Sequence, residues 1–169
     1  MRSSFHFAPL LLLLACGGEA EVNFPDSLAA LEAGNRAASS QDWPAAQVAF
    51  SWASAHADGR EAVLHSALLG LGEAYASAGL LTEAEAAFDR AAAEGGSRHD
   101  FRASQRVVDA WIQAALLHPD ALAKAKLALA FAAEQFADRV GDLKRQEQAL
   151  TSLEAGDAES LAALGYVGD

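Results

Sequence analysis

Apolar residues recur at every third or fourth position through most of this chain, broken by short polar stretches. That spacing predicts amphipathic helices rather than strands. Asp26, following Pro25, is placed to cap the first helix of the body. Gln41-Asp42-Trp43-Pro44 predicts a turn into a second helix, with Pro44 in a first turn that has no amide donor to lose. Gly79 is expected to end a later helix in a left-handed cap, and His118-Pro119-Asp120 to form another turn. Near the end, Val140, Leu143, Leu150 and Leu153 fall at helical spacing while Arg139, Lys144, Arg145 and Glu147 lie off that stripe. Asp157 is expected to cap a last short helix through Leu164, closed by Gly165, with Val167 folding back.

Part of this pattern repeats. Ala84, Phe88 and Ala91 stand at the spacing A-x3-F-x2-A, and Ala46, Phe50 and Ala53 reproduce it 38 residues upstream. Gly34 stands to the first copy as Gly72 stands to the second. Small residues at Gly72 and Ala84 let two helices of a hairpin cross closely, while Tyr75 and Phe88 fill the space beside the crossing. A third, degenerate copy places Val107, Trp111, Ala114 and Ala115 on its first helix. Its second helix carries Ala123, Leu127 and Ala130, and Trp111 stands where a small glycine is wanted.

The run Leu68-x2-Leu71-Gly72-x2-Tyr75, then Gly79, then Ala84-x3-Phe88, resembles the tetratricopeptide repeat, with Leu68 in the place of the usual Trp. The resemblance spans roughly residues 27–131 and implies an all-α fold, a short right-handed solenoid of about three helical hairpins with C-terminal capping helices. The basic unit is about 34 residues, so extra residues are expected near Gly59 to Val63, lengthening a helix or the connection. The closing Leu161-Ala162-Ala163-Leu164-Gly165-Tyr166-Val167 resembles a segment found beside such repeats in secreted bacterial proteins. In this family the first helix of each hairpin builds the concave face. The resemblance therefore assigns Leu31, Asn35, Leu69, Glu73 and Ser77 to a partner-binding groove of mixed, mildly acidic character. Some members clamp a terminal carboxylate there. Asn35 matches one clamp position, but Leu31, Gly70, Gln105 and Asp109 occupy others, so no carboxylate clamp is implied.

Composition agrees with helices: alanine, the best helix former, dominates an apolar content of 52%. The balance of 12 Lys plus Arg against 23 Asp plus Glu gives a net charge of −11, which disfavours nucleic acid and anionic membrane surfaces as partners. The one cysteine, Cys16, allows no internal disulfide.

The position of that cysteine gives it a different meaning. Arg2 precedes an apolar run from Phe7 through Ala15, too short to span a bilayer but suited to a signal-peptide core. Leu13-Leu14-Ala15-Cys16-Gly17 resembles the lipobox of bacterial lipoproteins, which implies cleavage before Cys16 and acylation of that residue. The expected division is a signal peptide over 1–15, a lipidated tether over 16–25, repeats over 26–136 and capping helices over 137–169. By the same resemblance Gly17 implies the outer membrane, with the domain facing the periplasm or the cell surface.

Candidate chemistry is sparse. The histidines form no H-E-x-x-H pattern, no second cysteine supports a thiolate site, and Gly70-x-Gly72 lacks the third glycine of a dinucleotide loop. No catalytic residue, metal or cofactor is expected. Arg98, His99, Arg102 and Arg106 form the one local basic cluster, read either as helix-surface charge or as an anion or acidic-peptide contact. The expected function is a non-catalytic scaffold for protein or peptide segments of the cell envelope. An accessory subunit of a secreted hydrolase or export complex is the alternative.

Overall fold

The computed structural model describes residues 23–167. Among them are eight α-helices and no strand: α1 (Ser27–Ser39), α2 (Trp43–Ala55), α3 (Glu61–Ser77), α4 (Leu81–Gly95), α5 (Phe101–Leu117), α6 (Ala121–Gln135), α7 (Lys144–Ala155) and α8 (Ala158–Ala163). Two 3-10 turns, Gly96–Arg98 and Ala137–Leu143, lead into α5 and α7.

Aspartates start four of these helices. Asp26, Asp42, Asp100 and Asp157 accept the amides of Ala29, Ala45, Ala103 and Ser160 at 2.9, 3.2, 3.1 and 3.0 Å. Each satisfies a donor that the first turn leaves free, worth about 1 kcal/mol. Pro44 occupies the first turn of α2. Gly79 ends α3 with φ +78°, and the next amide, Leu80, returns to the Tyr75 carbonyl at 2.9 Å. Only a residue without a Cβ takes that conformation cheaply.

The first six helices form three antiparallel hairpins, α1/α2, α3/α4 and α5/α6, with α3 in the middle against α1, α2, α4 and α5. The crossings of the first two hairpins are closed by glycine meeting phenylalanine. A Cβ on Gly34 would stand 2.6 Å from Phe50 Cε1, and one on Gly72 would stand 2.6 Å from Phe88 Cδ1. Ala46 and Ala84, both fully buried, keep the partner helices close at the same crossings. Tyr75 packs beside them, touching two of the core clusters. α3 begins one turn earlier relative to Gly72 than α1 does relative to Gly34. The additional residues therefore lengthen a helix instead of a loop.

Two expected registers are corrected. On α6 the inward residues are Ala121, Ala125 and Ala132, with Ala128 and Leu129 partly buried; Ala123 and Ala130 are exposed and Leu127 is 67% exposed. The spacing A-x3-L-x2-A is met two residues later, by Ala125, Leu129 and Ala132. Near the C-terminus Leu143, Gln146, Ala149 and Leu150 face the core, whereas Val140 lies exposed in the 3-10 turn. The residue that folds back after Gly165 (φ +77°) is Tyr166, 4% exposed, and Val167 stays outside. Its phenol reaches α5, so the chain end closes the open side of the third hairpin.

Candidate functional site

A groove of about 770 Å³ runs across α1, α3 and α5, the first helices of the three hairpins. Asn35 comes from α1, Glu73 and Ser77 from α3, and Arg102, Arg106 and Asp109 from α5. On α5 these last residues recur at spacings of three and four, which puts them on one face. Trp43, at the start of α2, closes one end.

Three of the five expected groove residues are brought together here: Asn35, Glu73 and Ser77. Leu31 is partly buried between the two N-terminal core clusters and does not line the hollow. Leu69 is a correction. It is 4% exposed and packs in the main core. Ala67, Leu68, Leu69, Gly70 and Leu71 are all buried, because this middle stretch of α3 is covered by neighbouring helices. A helical stretch that is apolar all round offers no groove face, and α3 reaches the groove only further on, at Glu73 and Ser77.

The groove is also balanced in charge rather than mildly acidic. Arg106 grips Glu73 with two nitrogens, Nε on Oε1 and Nη2 on Oε2 at 2.8 Å. This pair ties α3 to α5 across the floor. Being partly exposed it adds little stability, but its fork geometry fixes both side chains. Arg102 is exposed and forms no ion pair among the described residues. The basic cluster is thus divided: Arg102 and Arg106 face the groove, and Arg98 turns towards His65 and Asp100 on another surface.

Asp109 links the groove to the chain end. Its Oδ1 accepts Gln146 Nε2 at 3.1 Å and the Tyr166 hydroxyl. Burial, and then this bond to a carboxylate, hold the Tyr166 hydroxyl far above the usual phenol range. The Arg145 guanidinium lies 4.6 Å from the Tyr166 ring centre and donates to the Leu164 carbonyl at 3.0 Å. The sequence pattern had Val167 folding back here and contained no sign of the Tyr166–Asp109 contact.

One further pairing was not visible in the sequence. His65 on α3 and His99 before α5 meet with Nε2 and Nδ1 3.5 Å apart, and His99 Nε2 lies 3.5 Å from Ser104 Oγ. Burial lowers the pKa of both rings. For His65, the neighbouring His99 and then Arg106 lower it further, against a raising influence of Asp100. Among the described residues no three His, Cys, Asp or Glu side chains gather as a metal site would require. Cys16 and the apolar run before it lie outside the described residues. No helix among the described residues is long and apolar enough to cross a membrane. No family model, curated protein or solved structure matches the chain.

Proposed function

We propose that the chain is a non-catalytic protein-interaction module of the tetratricopeptide kind, held in the bacterial cell envelope by acyl chains on Cys16. The observation that carries this reading is the groove across α1, α3 and α5, with polar and charged side chains from three successive hairpins on its walls. The recurrent glycine–phenylalanine crossings support the repeat assignment, since they recur where the family spacing places them. Asn35, Ser77 and Arg102 supply hydrogen-bonding groups along the groove, and the Glu73–Arg106 pair supplies both signs at its centre. A partner segment bound there is extended or helical and has polar groups of its own, in keeping with how grooves read peptides. The apolar run, Arg2 and the Leu13-Leu14-Ala15-Cys16 motif support lipid anchoring. More than one acyl chain on a cysteine gives lasting attachment at about 0.8 kcal/mol per buried methylene.

The test is photo-crosslinking in intact envelopes, with the reactive residue placed at Ser77 or Gln113 in the groove and at Ser51 on the outer face of α2. Partner adducts at Ser77 and Gln113, and none at Ser51, are expected. Adducts at Ser51 alone would overturn the groove as the working surface.

A further inference from the structure

The two junctions between successive hairpins are built differently. α3 lies closely along α2, whereas α5 packs on α3 and scarcely approaches α4. At the first junction α3 presents Gly70, where a Cβ would stand 2.6 Å from Phe50 Cζ, so α2 and α3 close over the ring. At the second, α5 presents Trp111 to the corresponding ring. The indole meets Phe88 edge to face with centroids 5.5 Å apart. An indole in place of a hydrogen atom holds the helices apart, and the space is not refilled from within the fold.

What remains is a cavity of about 230 Å³ between α4, α5 and α6. Phe88, Val107 and Trp111 line it from α4 and α5, and Leu127, Ala128 and Phe131 line it from α6. Leu127 and Phe131 are 67% and 54% exposed and lie one turn apart. They are the apolar residues that the register of α6 turns away from the core. On α5, Val107 and Trp111 point opposite to Arg102, Arg106 and Asp109, because helical residues advance by about 100° each. The cavity is therefore separate from the groove.

Its rim is charged. Lys124 Nζ meets Glu85 Oε1 at 2.6 Å, bridging α6 and α4, and Asp89, one turn on from Glu85, forms no ion pair among the described residues. Lys124 is thus already neutralised, which leaves the Asp89 carboxylate as the uncompensated charge beside an apolar hollow that His99 and Ser104 line at its α5 end. A second copy of this chain is a poor occupant, since each copy carries a net charge of −11. Cavities of about 150 Å³ accept a benzene ring, so one large side chain fits here. We infer that this cavity is a second docking site, which takes a bulky apolar side chain flanked by lysine or arginine from a partner protein. Apolar anchors in central pockets carry most of the affinity of such contacts, and rim charges adjust it. The site does not depend on the role proposed for the groove.

The test uses the full chain and two short amphipathic peptides, each with a central tryptophan, flanked by lysines in one and by glutamates in the other. Binding is followed by NMR shifts at Leu127, Phe131 and the Trp111 indole. The lysine peptide is expected to shift these signals and the glutamate peptide to bind about tenfold more weakly. Asp89→Lys should remove about two- to fivefold of the preference, the size of one exposed ion pair. Ala128→Phe should fill the cavity and abolish binding, and Leu127→Lys, at an exposed position, tests the same wall should Ala128→Phe fail to fold. Equal binding of the two peptides, shifts at Ser77 and Gln113 instead, or indifference to Leu127→Lys would overturn the proposal. So would a concentration-dependent dimer that protects Leu127 and Phe131, because the occupant would then be a second copy.

Discussion

The ring of Phe88 occupies the space that a side chain on Gly72 would need, with Cδ1 2.6 Å from where a Cβ would stand. Phe88 is itself 5% exposed and meets Trp111 edge to face, so a side chain on Gly72 has to displace a ring already packed in the core. Gly72→Leu and Ala84→Leu should each overpack this crossing and cost about 1–3 kcal/mol. Glu83→Leu, at an exposed position of the same hairpin, should change little. Gly141→Ala is a second control, because a Cβ there meets nothing within 4 Å. Thermal or urea unfolding of the four variants checks the order. Equal stabilities would show that the crossing is not where the repeat spacing puts it.

The legibility of this fold varied with how much each residue type discriminates. Phe50, Gly34, Gly72, Phe88 and the Asp26 cap were readable because large rings, glycines and capping aspartates have few alternative uses. The register of α6 was not, since Ala121 to Ala133 mixes Ala with scattered Leu, Lys and Phe131 so that several faces look apolar. Alanine matches there favour no face over another. Leu69 was misplaced for a related reason. The unbroken run Ala67-Leu68-Leu69-Gly70-Leu71-Gly72 did hold a warning, because it fits a helix covered on all sides. Three groove residues, Asn35, Glu73 and Ser77, followed from the repeat resemblance, which assigns the first helix of each hairpin to the concave face. Their partners on α5 did not, because the Glu73–Arg106 and Asp109–Tyr166 contacts join residues distant in sequence.

Acid should loosen the junction between the second and third hairpins. Burial lowers the folded-state pKa of His65 and His99 below the usual 6.5, so the unfolded chain binds protons there more readily. Stability from the neutral pair is complete above about pH 6.5 and is lost as pH falls towards the folded values. Arg98 and Arg106 act in the same direction on His65, and Asp100 opposes them. Melting temperature should fall between pH 7.5 and pH 5. The fall should be smaller in His65→Phe and His99→Phe, after subtraction of any constant offset. An unchanged slope in both variants would assign the acid sensitivity to other groups.

The chain end should act as a stabilising cap through Asp109. Tyr166→Phe removes the hydroxyl that Asp109 accepts while keeping the ring beneath Arg145. A loss of about 0.5–1.5 kcal/mol is expected, since the partly buried Asp109 carboxylate loses one of its two donors. Hydrogen exchange should quicken in α7 and α8 before it does in α1 and α2. Uniform exchange along the chain would mean that Tyr166 does not hold the end in place.

Processing is testable without reference to the fold. If Cys16 is acylated after cleavage, Cys16→Ser should leave unprocessed precursor and abolish partition into the detergent phase. Mass spectrometry of the wild-type protein should then show an N-terminal acylated cysteine. A mature N-terminus downstream of Cys16 with no acyl mass would exclude the anchor.

Separating the groove from the core requires variants that differ in burial. Leu69 is 4% exposed within the main core, so Leu69→Arg forces a charge among apolar side chains and should unfold the domain. Ser77 lines the groove near the end of α3, so Ser77→Arg should leave the helix content unchanged while adding bulk and charge to the binding surface. Arg90 is exposed on α4 and among the described residues pairs with Glu94, so Arg90→Glu should alter neither fold nor partner. The expected order in co-purification from solubilised envelopes is loss of the partner with Ser77→Arg and retention with Arg90→Glu, both folded by circular dichroism. A central groove substitution of this kind costs about 2 kcal/mol or more when the partner covers it, whereas exposed charges at a distance seldom matter. Retention of the partner by a folded Ser77→Arg, together with its loss in Arg90→Glu, would move the working surface from α1, α3 and α5 to the opposite side of the hairpins.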